Sequence, residues 1–63
     1  MKIKDLCGVM YDNERVEIFD SRRNMELLHH ETAARLRLDR EWGEKEIYTV
    51  KPSTRVMIVY LGC

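Results

Sequence analysis

The chain has 63 residues, of which 44% are hydrophobic and 35% charged, and its 11 basic residues balance 11 acidic ones. This composition is typical of one small folded domain, residues 1–63, and excludes a disordered chain. Binding to duplex nucleic acid through phosphate contacts usually requires a clear basic excess, so the zero net charge argues against that role. A domain this short is marginally stable unless a disulfide, a metal or a partner subunit helps it.

The cysteines and the apolar stretches predict the compartment. Cys7 and Cys63 lie almost a full chain apart, whereas a secreted mini-domain stapled by disulfides would normally carry four or more cysteines. Residues 1–5 contain no apolar run of the kind found in signal peptides, and the longest apolar stretch, Val56 to Leu61, is too short to span a bilayer. We therefore expect a cytoplasmic protein, in a bacterial cell or a phage-infected host, with reduced thiols and no membrane association.

The first half of the chain predicts a helix and a hairpin. Ile3, Leu6, Cys7 and Met10 recur at helical spacing, which predicts a short helix that ends near Tyr11. Residues 15–20 alternate as a strand does, with Val16 and Ile18 on one side and Glu17 and Phe19 on the other. A polar turn at residues 20–24, with Asn24 able to adopt a left-handed conformation, and a returning strand over residues 25–29 complete the hairpin.

The second half predicts a short helix and a second hairpin. Thr32 is a suitable N-cap for a helix over Ala33 to Leu38. A polar connection over residues 39–43 leads to a third strand over residues 44–50, and a loop over residues 51–54 leads to the last strand, residues 55–61. The predicted fold class is α+β, with a small antiparallel four-stranded sheet or a partly closed barrel. The predicted order is helix, strand, strand, short helix, strand, strand.

The last strand is apolar on both faces, which is typical of a central strand covered on both sides. Two short helices can protect only one face, so the other face should meet a curled sheet or another subunit. The sequence therefore predicts a homo-oligomer, and the candidate interface residues are Met57, Val59, Tyr60 and Leu61.

The layout resembles a group of short uncharacterised proteins of phages, prophages and mobile elements of low-GC Gram-positive bacteria. The resemblance is carried by the helical opening Met1–Leu6, a strand like Val16–Asp20 followed by a hairpin, and a closing strand pair like Glu46–Tyr48 and Val56–Tyr60. It implies a mobile-element accessory protein and no particular activity.

A basic segment that ends at the only tryptophan is the candidate ligand site. Arg35, Arg37 and Arg40 could bind an anion, since guanidinium groups hold phosphate bidentately and the start of the helix after Thr32 would supply free N–H groups. Trp42 could stack on a base or contact a protein. The alternative is a solvated, salt-bridged face beside a tryptophan that closes the edge of the core.

The remaining reactive side chains predict no catalytic residue, metal site or cofactor. Adjacent residues of a strand point to opposite faces, so His29 and His30 are poorly placed to share a metal. Cys7 lies on the apolar helical face, where a cysteine commonly acts as a small hydrophobe. The first functional hypothesis is a non-catalytic interaction module of phage or mobile-element origin that binds a host or phage protein. The alternative is a binder of nucleotides or other anionic signals, acting in counter-defence.

Overall fold

The predicted α+β class and order of elements are confirmed by a computed structural model, which describes residues 1–22 and 26–62. The elements are α1 (Ile3–Cys7), β1 (Arg15–Asp20), β2 (Glu26–Thr32), α2 (Ala33–Leu38), β3 (Thr49–Pro52) and β4 (Val56–Leu61). The tip of the first hairpin, with Asn24 and the predicted strand start at Met25, lies outside the described residues, as does Cys63. None of the helices in the described ranges is long and apolar enough to cross a membrane.

The four strands form one open, mixed sheet in the order β2-β1-β4-β3. The pairs β1–β2 and β3–β4 are antiparallel hairpins, as expected, but the central pair β1–β4 is parallel, with Arg15 opposite Val56 and Asp20 opposite Leu61. A parallel pair needs a long crossover connection, and here β2, α2, β3 and the segments between them provide it. The sheet is thus not wholly antiparallel, and it does not close into a barrel because β2 and β3 remain its edges.

The pairing of β1 with β2 contains an irregularity, and β2 extends further along the chain than the sequence predicts. The register shifts between Ile18 and Phe19, which face His29 and Leu27 respectively, so one residue of β2 is extra at this point. The strand continues to Thr32, beyond the predicted end at His29, because its last residues still pair with the start of β1.

The third strand begins later than the sequence predicts, at Thr49 instead of residue 44. Residues 43–47 instead pair with the N-terminal segment. The Ile3 N–H donates to the Lys45 carbonyl at 3.0 Å, and the Ile47 N–H donates to the Met1 carbonyl at 2.9 Å. These bonds fasten the start of α1 to the segment before β3, outside the sheet.

One apolar cluster lies between the sheet and the helices. Its buried members are Ile3, Cys7, Met10, Val16, Ile18, Ala33, Leu36, Val59 and Leu61. Since this cluster unites residues of both helices with one alternating set from β1 and β4, both helices lie on the same side of the sheet. We call that side the helix face. The opposite side, the open face, consists of Arg15, Glu17, Phe19, Leu27, His30, Thr32, Thr49, Lys51, Val56, Ile58 and Tyr60.

Candidate functional site

The open face presents its side chains in three rows that cross the sheet. The middle row runs His30, Glu17, Ile58 and Lys51, each residue directly opposite the next on the neighbouring strand. The outer rows lie one residue pair to either side of it, because successive side chains of a strand alternate between faces. The register therefore determines which charged and apolar side chains lie next to one another on the open face.

An apolar stripe occupies the centre of the open face. Phe19 and Tyr60 are cross-strand neighbours on β1 and β4, with ring centroids 5.9 Å apart and planes inclined by 40°. Ile58 and Val56 continue the stripe along β4, and Leu27, which is 45% exposed, extends it onto β2. None of these side chains belongs to the buried cluster, so within the described ranges no helix covers them.

Charged residues flank the stripe. Glu17 is half-buried on the central strand β1, whereas Lys51 is exposed on the edge strand β3, in the same row. Arg15 lies at the beginning of β1, and its guanidinium contacts the His30 Nδ1 atom at 3.0 Å. Within the middle row, the open face therefore carries an acidic group and a basic group on opposite sides of β4, while Arg15 lies one row away on the same strand as Glu17.

The residues predicted as an interface divide between the two faces. Val59 and Leu61 are 0% and 6% exposed in the core, and Met57 packs against that core on the helix face. Val59 and Leu61 therefore stabilise the chain itself and are not available as a contact surface, whereas Met57 is half-buried. Only Tyr60 lies on the open face, and its interface role stays a prediction.

The three arginines of the predicted ligand site have different surroundings. The Arg37 guanidinium donates through Nε to the Cys7 carbonyl at 2.7 Å, and it also contacts the Met10 carbonyl and the Asp12 carboxylate. These partners all lie in α1 or just after it. Arg37 therefore joins α2 to the segment after α1, and each of its three guanidinium nitrogen atoms donates within the chain.

Two N–H groups at the start of α2 also donate within the chain. The Ala33 N–H donates to the Glu14 carbonyl at 2.8 Å, and the Ala34 N–H donates to the Asp12 carbonyl at 3.2 Å. Thr32 takes the N-cap position with an extended backbone but makes no side-chain cap bond. The turn before β1 thus satisfies the first two of the N–H groups that the sequence suggested for a phosphate.

Arg35 and Trp42 also contact other side chains of the same chain. Arg35 is exposed and lies 3.8 Å from the Glu31 carboxylate, one helical turn away. Trp42 packs against the core, stacks on His29 with ring centroids 4.9 Å apart, and has the Lys45 ammonium 5.3 Å from its ring centroid. Arg40 is exposed in the turn that follows α2. The predicted set is therefore spread over a helix and a turn, and the tryptophan closes the edge of the core.

The turn that carries Trp42 is fixed by Asp39. One oxygen of its carboxylate accepts the backbone N–H groups of Glu41 and Trp42, both at 2.8 Å. These two bonds, that of Trp42 first, lower the pKa of the Asp39 carboxyl.

The histidines and Cys7 are placed as their sequence positions suggest. His29 lies on the helix face beside Trp42, whereas His30 lies on the open face beside Arg15. Cys7 is fully buried, and this burial raises the pKa of its thiol, which Arg37 offsets only in part. Among the described residues, no three potential metal-binding side chains come together.

A shallow depression of about 300 Å³ lies at the end of the second hairpin, lined by Glu46, Ile47, Tyr48 and Gly62. Its lining offers a single charged side chain, Glu46, whose carboxylate accepts from the Met1 ammonium at 3.1 Å. The lining gives no set of convergent polar groups with which to orient a ligand.

The apolar open-face residues Phe19 and Ile58 are not among the predicted interface residues, and neither are Leu27 and Val56. The alternation of β1 already separates Phe19 from Val16 and Ile18, so the signal was present in the sequence. What the pattern could not give is the pairing of β1 with β4, which places Phe19 beside Tyr60.

No protein-family model, curated protein or solved structure matches this chain.

Proposed function

We propose that this chain is a non-catalytic interaction module of phage or mobile-element origin, which acts as a homo-oligomer and binds a host or phage protein. The observation that carries the proposal is the apolar stripe of the open face, formed around Phe19, Ile58 and Tyr60. Large contiguous apolar patches on a protein surface mark interaction sites, and aromatic side chains are enriched in protein interfaces. A protein surface is therefore the occupant that suits this face.

The placement of the reactive side chains supports a role in binding. Cys7 is buried with a raised pKa, so its thiolate is not at hand for nucleophilic attack. The Arg37 guanidinium donates hydrogen bonds to Cys7, Met10 and Asp12 within the chain. A chain of this size has little material left for the supporting contacts that catalytic groups need.

Photo-crosslinking tests the proposal. Tyr60 on the open face is replaced by the photoreactive residue benzoylphenylalanine, and the chain is irradiated in cells of the organism that encodes it. The matched control carries the same replacement at Tyr11, which is 80% exposed but lies outside the sheet. We expect protein adducts, identified by mass spectrometry, from position 60 and not from position 11. Adducts no more abundant at position 60 than at position 11 would remove the interaction module.

A further inference from the structure

The charges of the middle row of the open face are arranged so that this row is complementary to itself, and Arg15 lies one row away, opposite Val56. Glu17 on β1 and Lys51 on β3 lie on either side of Ile58 on β4, in one row. Neighbouring strands are about 4.8 Å apart, so each charge lies about 5 Å to one side of β4. A two-fold axis that runs parallel to the strands over β4 exchanges the two sides. It would place Glu17 of one copy over Lys51 of the other, twice.

The other simple two-fold arrangement is electrostatically unfavourable. An axis across the strands, through the middle row, would place Glu17 over Glu17 of the second copy and Lys51 over its own equivalent. Like charges in contact disfavour an assembly, whereas opposite charges fix its register. The axis along β4 also places Ile58 over Ile58 and Tyr60 over Tyr60, so the apolar stripe meets itself.

We infer that the open face binds a second copy of this chain, sheet against sheet, about a two-fold axis that runs along β4. This inference rests on the proposed function and specifies the surface of self-association. The two sheets would pack with their strands nearly aligned and about 10 Å apart. Each Glu17 carboxylate would face the partner's Lys51 ammonium at the margin of the apolar stripe.

The size of the open face sets the strength of this dimer. Each copy contributes roughly ten side chains, whereas a standard stable interface uses about 20–30 residues a side. The association should therefore be weak and reversible, with the dimer populated as the concentration rises. Such a dimer still covers the stripe, which is the surface that the helices leave uncovered.

Charge reversal tests the arrangement by sedimentation across about a hundredfold range of concentration. We expect wild type to dimerise, Glu17→Lys and Lys51→Glu each to weaken the dimer about tenfold or more, and the double exchange Glu17→Lys/Lys51→Glu to restore it. Glu41→Lys, an equal change of charge in the turn after α2, should have no effect. Circular dichroism checks that each variant is folded. If Glu17→Lys does not fold, Lys51→Glu, at an exposed position on an edge strand, supplies the test.

A crosslinking measurement tests the axis independently. With Cys63→Ser in the background, Ile58→Cys should be joined to itself by a bismaleimide of about 10 Å reach, because position 58 lies at the axis. Thr49→Cys, on the same face but on the edge strand, should be joined far less.

The outcomes separate this inference from the proposed function. A wild-type chain that stays monomeric throughout, or a dimer that ignores both charge reversals, overturns the inference. Equal crosslinking at positions 49 and 58 overturns the axis. In each of these cases, adducts between position 60 and a different protein would leave the interaction module standing, whereas their absence would remove both.

Discussion

Gly43 lies where the turn after α2 passes close to the end of that helix. A Cβ atom at this position would lie 2.4 Å from the Asp39 carbonyl oxygen and 2.5 Å from that of Leu36, both backbone atoms that cannot move aside cheaply. We expect Gly43→Ala to lower the free energy of unfolding by about 1–3 kcal/mol, as overpacking does. Urea unfolding followed by circular dichroism measures it.

Gly8 provides the matched control for that substitution. A Cβ atom there would lie 3.3 Å from the Asp5 carbonyl oxygen, and the backbone is right-handed helical with φ −63°. Gly8→Ala should therefore change stability by less than about 1 kcal/mol, because alanine lowers the conformational entropy of the unfolded chain and this gain offsets a mild contact. Equal losses in the two variants would contradict the role assigned to Gly43.

Cys7 should react slowly with thiol reagents in the folded chain. Its side chain is fully buried and its thiol pKa is raised by that burial, so little thiolate is exposed to a reagent. In a Cys63→Ser background, we expect Ellman's reagent to react about tenfold or more slowly with Cys7 in buffer than in denaturing urea. Val9→Cys/Cys7→Ala, in which the new thiol replaces a side chain that is 84% exposed, should react rapidly in both. Rapid reaction of native Cys7 would show that the core opens readily.

At the scale of elements, Arg37 joins the two helices. Its contacts with the carbonyls of Cys7 and Met10 would be lost in Arg37→Met, which leaves two partly buried acceptors without their charged donor. Hydrogen bonds to charged groups are worth about 1.5–3 kcal/mol, so we expect a loss of about 2 kcal/mol in urea unfolding. Arg35→Met, two residues earlier on an exposed side chain, should cost little.

The same pair of variants also tests the predicted ligand site. If Arg37 joins α2 to the segment after α1, Arg37→Met should destabilise the chain far more than Arg35→Met does. Comparable stabilities would show that the contacts of Arg37 are dispensable and would return it to the list of candidate anion ligands.

Glu44 ties α1 to the segment before β3. Its carboxylate accepts from the Lys2 ammonium at 2.8 Å and from the Lys4 ammonium at 2.6 Å. These bonds, that of Lys2 first, lower the pKa of Glu44 from 4.5 to about 2. Because the folded pKa lies below the unfolded one, the stabilisation is present above about pH 4.5 and disappears as the pH falls towards about 2.

A pH series of urea midpoints checks this tie. The difference between wild type and Glu44→Gln should be largest near neutral pH and should shrink on acidification through the window from about 4.5 to 2. High salt should shrink it as well, because these side chains are partly exposed. Glu41→Gln, which removes an exposed carboxylate in the turn after α2, serves as the matched control. A constant difference across the pH range would contradict the ion pairs.

Local signals determined which elements could be predicted. The bounds of α2 follow from Thr32 and the helix formers after it, and β4 follows from a continuous apolar run. The start of β3 could not be predicted, because residues 43–47 find their partners in the N-terminal segment, some 40 residues away. The parallel pairing of β1 with β4 is equally non-local, and nothing in the alternation of either strand distinguishes it from an antiparallel pair.

The sequence likewise predicts some features of the candidate site and not others. Alternation assigned Phe19 and Ile18 to opposite faces, but only the packed helices decide which face is covered. The arginine segment is a pattern of residue types, and the pattern cannot reveal that the Arg37 guanidinium reaches the segment after α1. Side-chain partners of this kind depend on tertiary structure, so composition and spacing do not predict them.

At the scale of the whole molecule, self-association through the open face should make thermal stability depend on concentration. Only the folded dimer buries the stripe, so mass action favours folding as more chain is added. Above the dissociation constant, a tenfold increase in concentration should raise Tm by about 3–6 °C for a chain of this size. Thermal melts followed by circular dichroism measure it. Glu17→Lys should show this dependence only at concentrations about tenfold or more higher, and a concentration-independent Tm of wild type would contradict self-association.

The parallel pairing of β1 and β4 also has a mechanical consequence. The two strands lie side by side in register, from Arg15 opposite Val56 to Asp20 opposite Leu61. A force that pulls residue 14 away from residue 62 therefore drags the strands lengthwise past each other and loads all of their hydrogen bonds together. A force applied across the β3–β4 hairpin, between residues 49 and 60, peels its bonds one at a time. In optical tweezers the first geometry should rupture at the higher force, which would make this small domain a direction-dependent mechanical element.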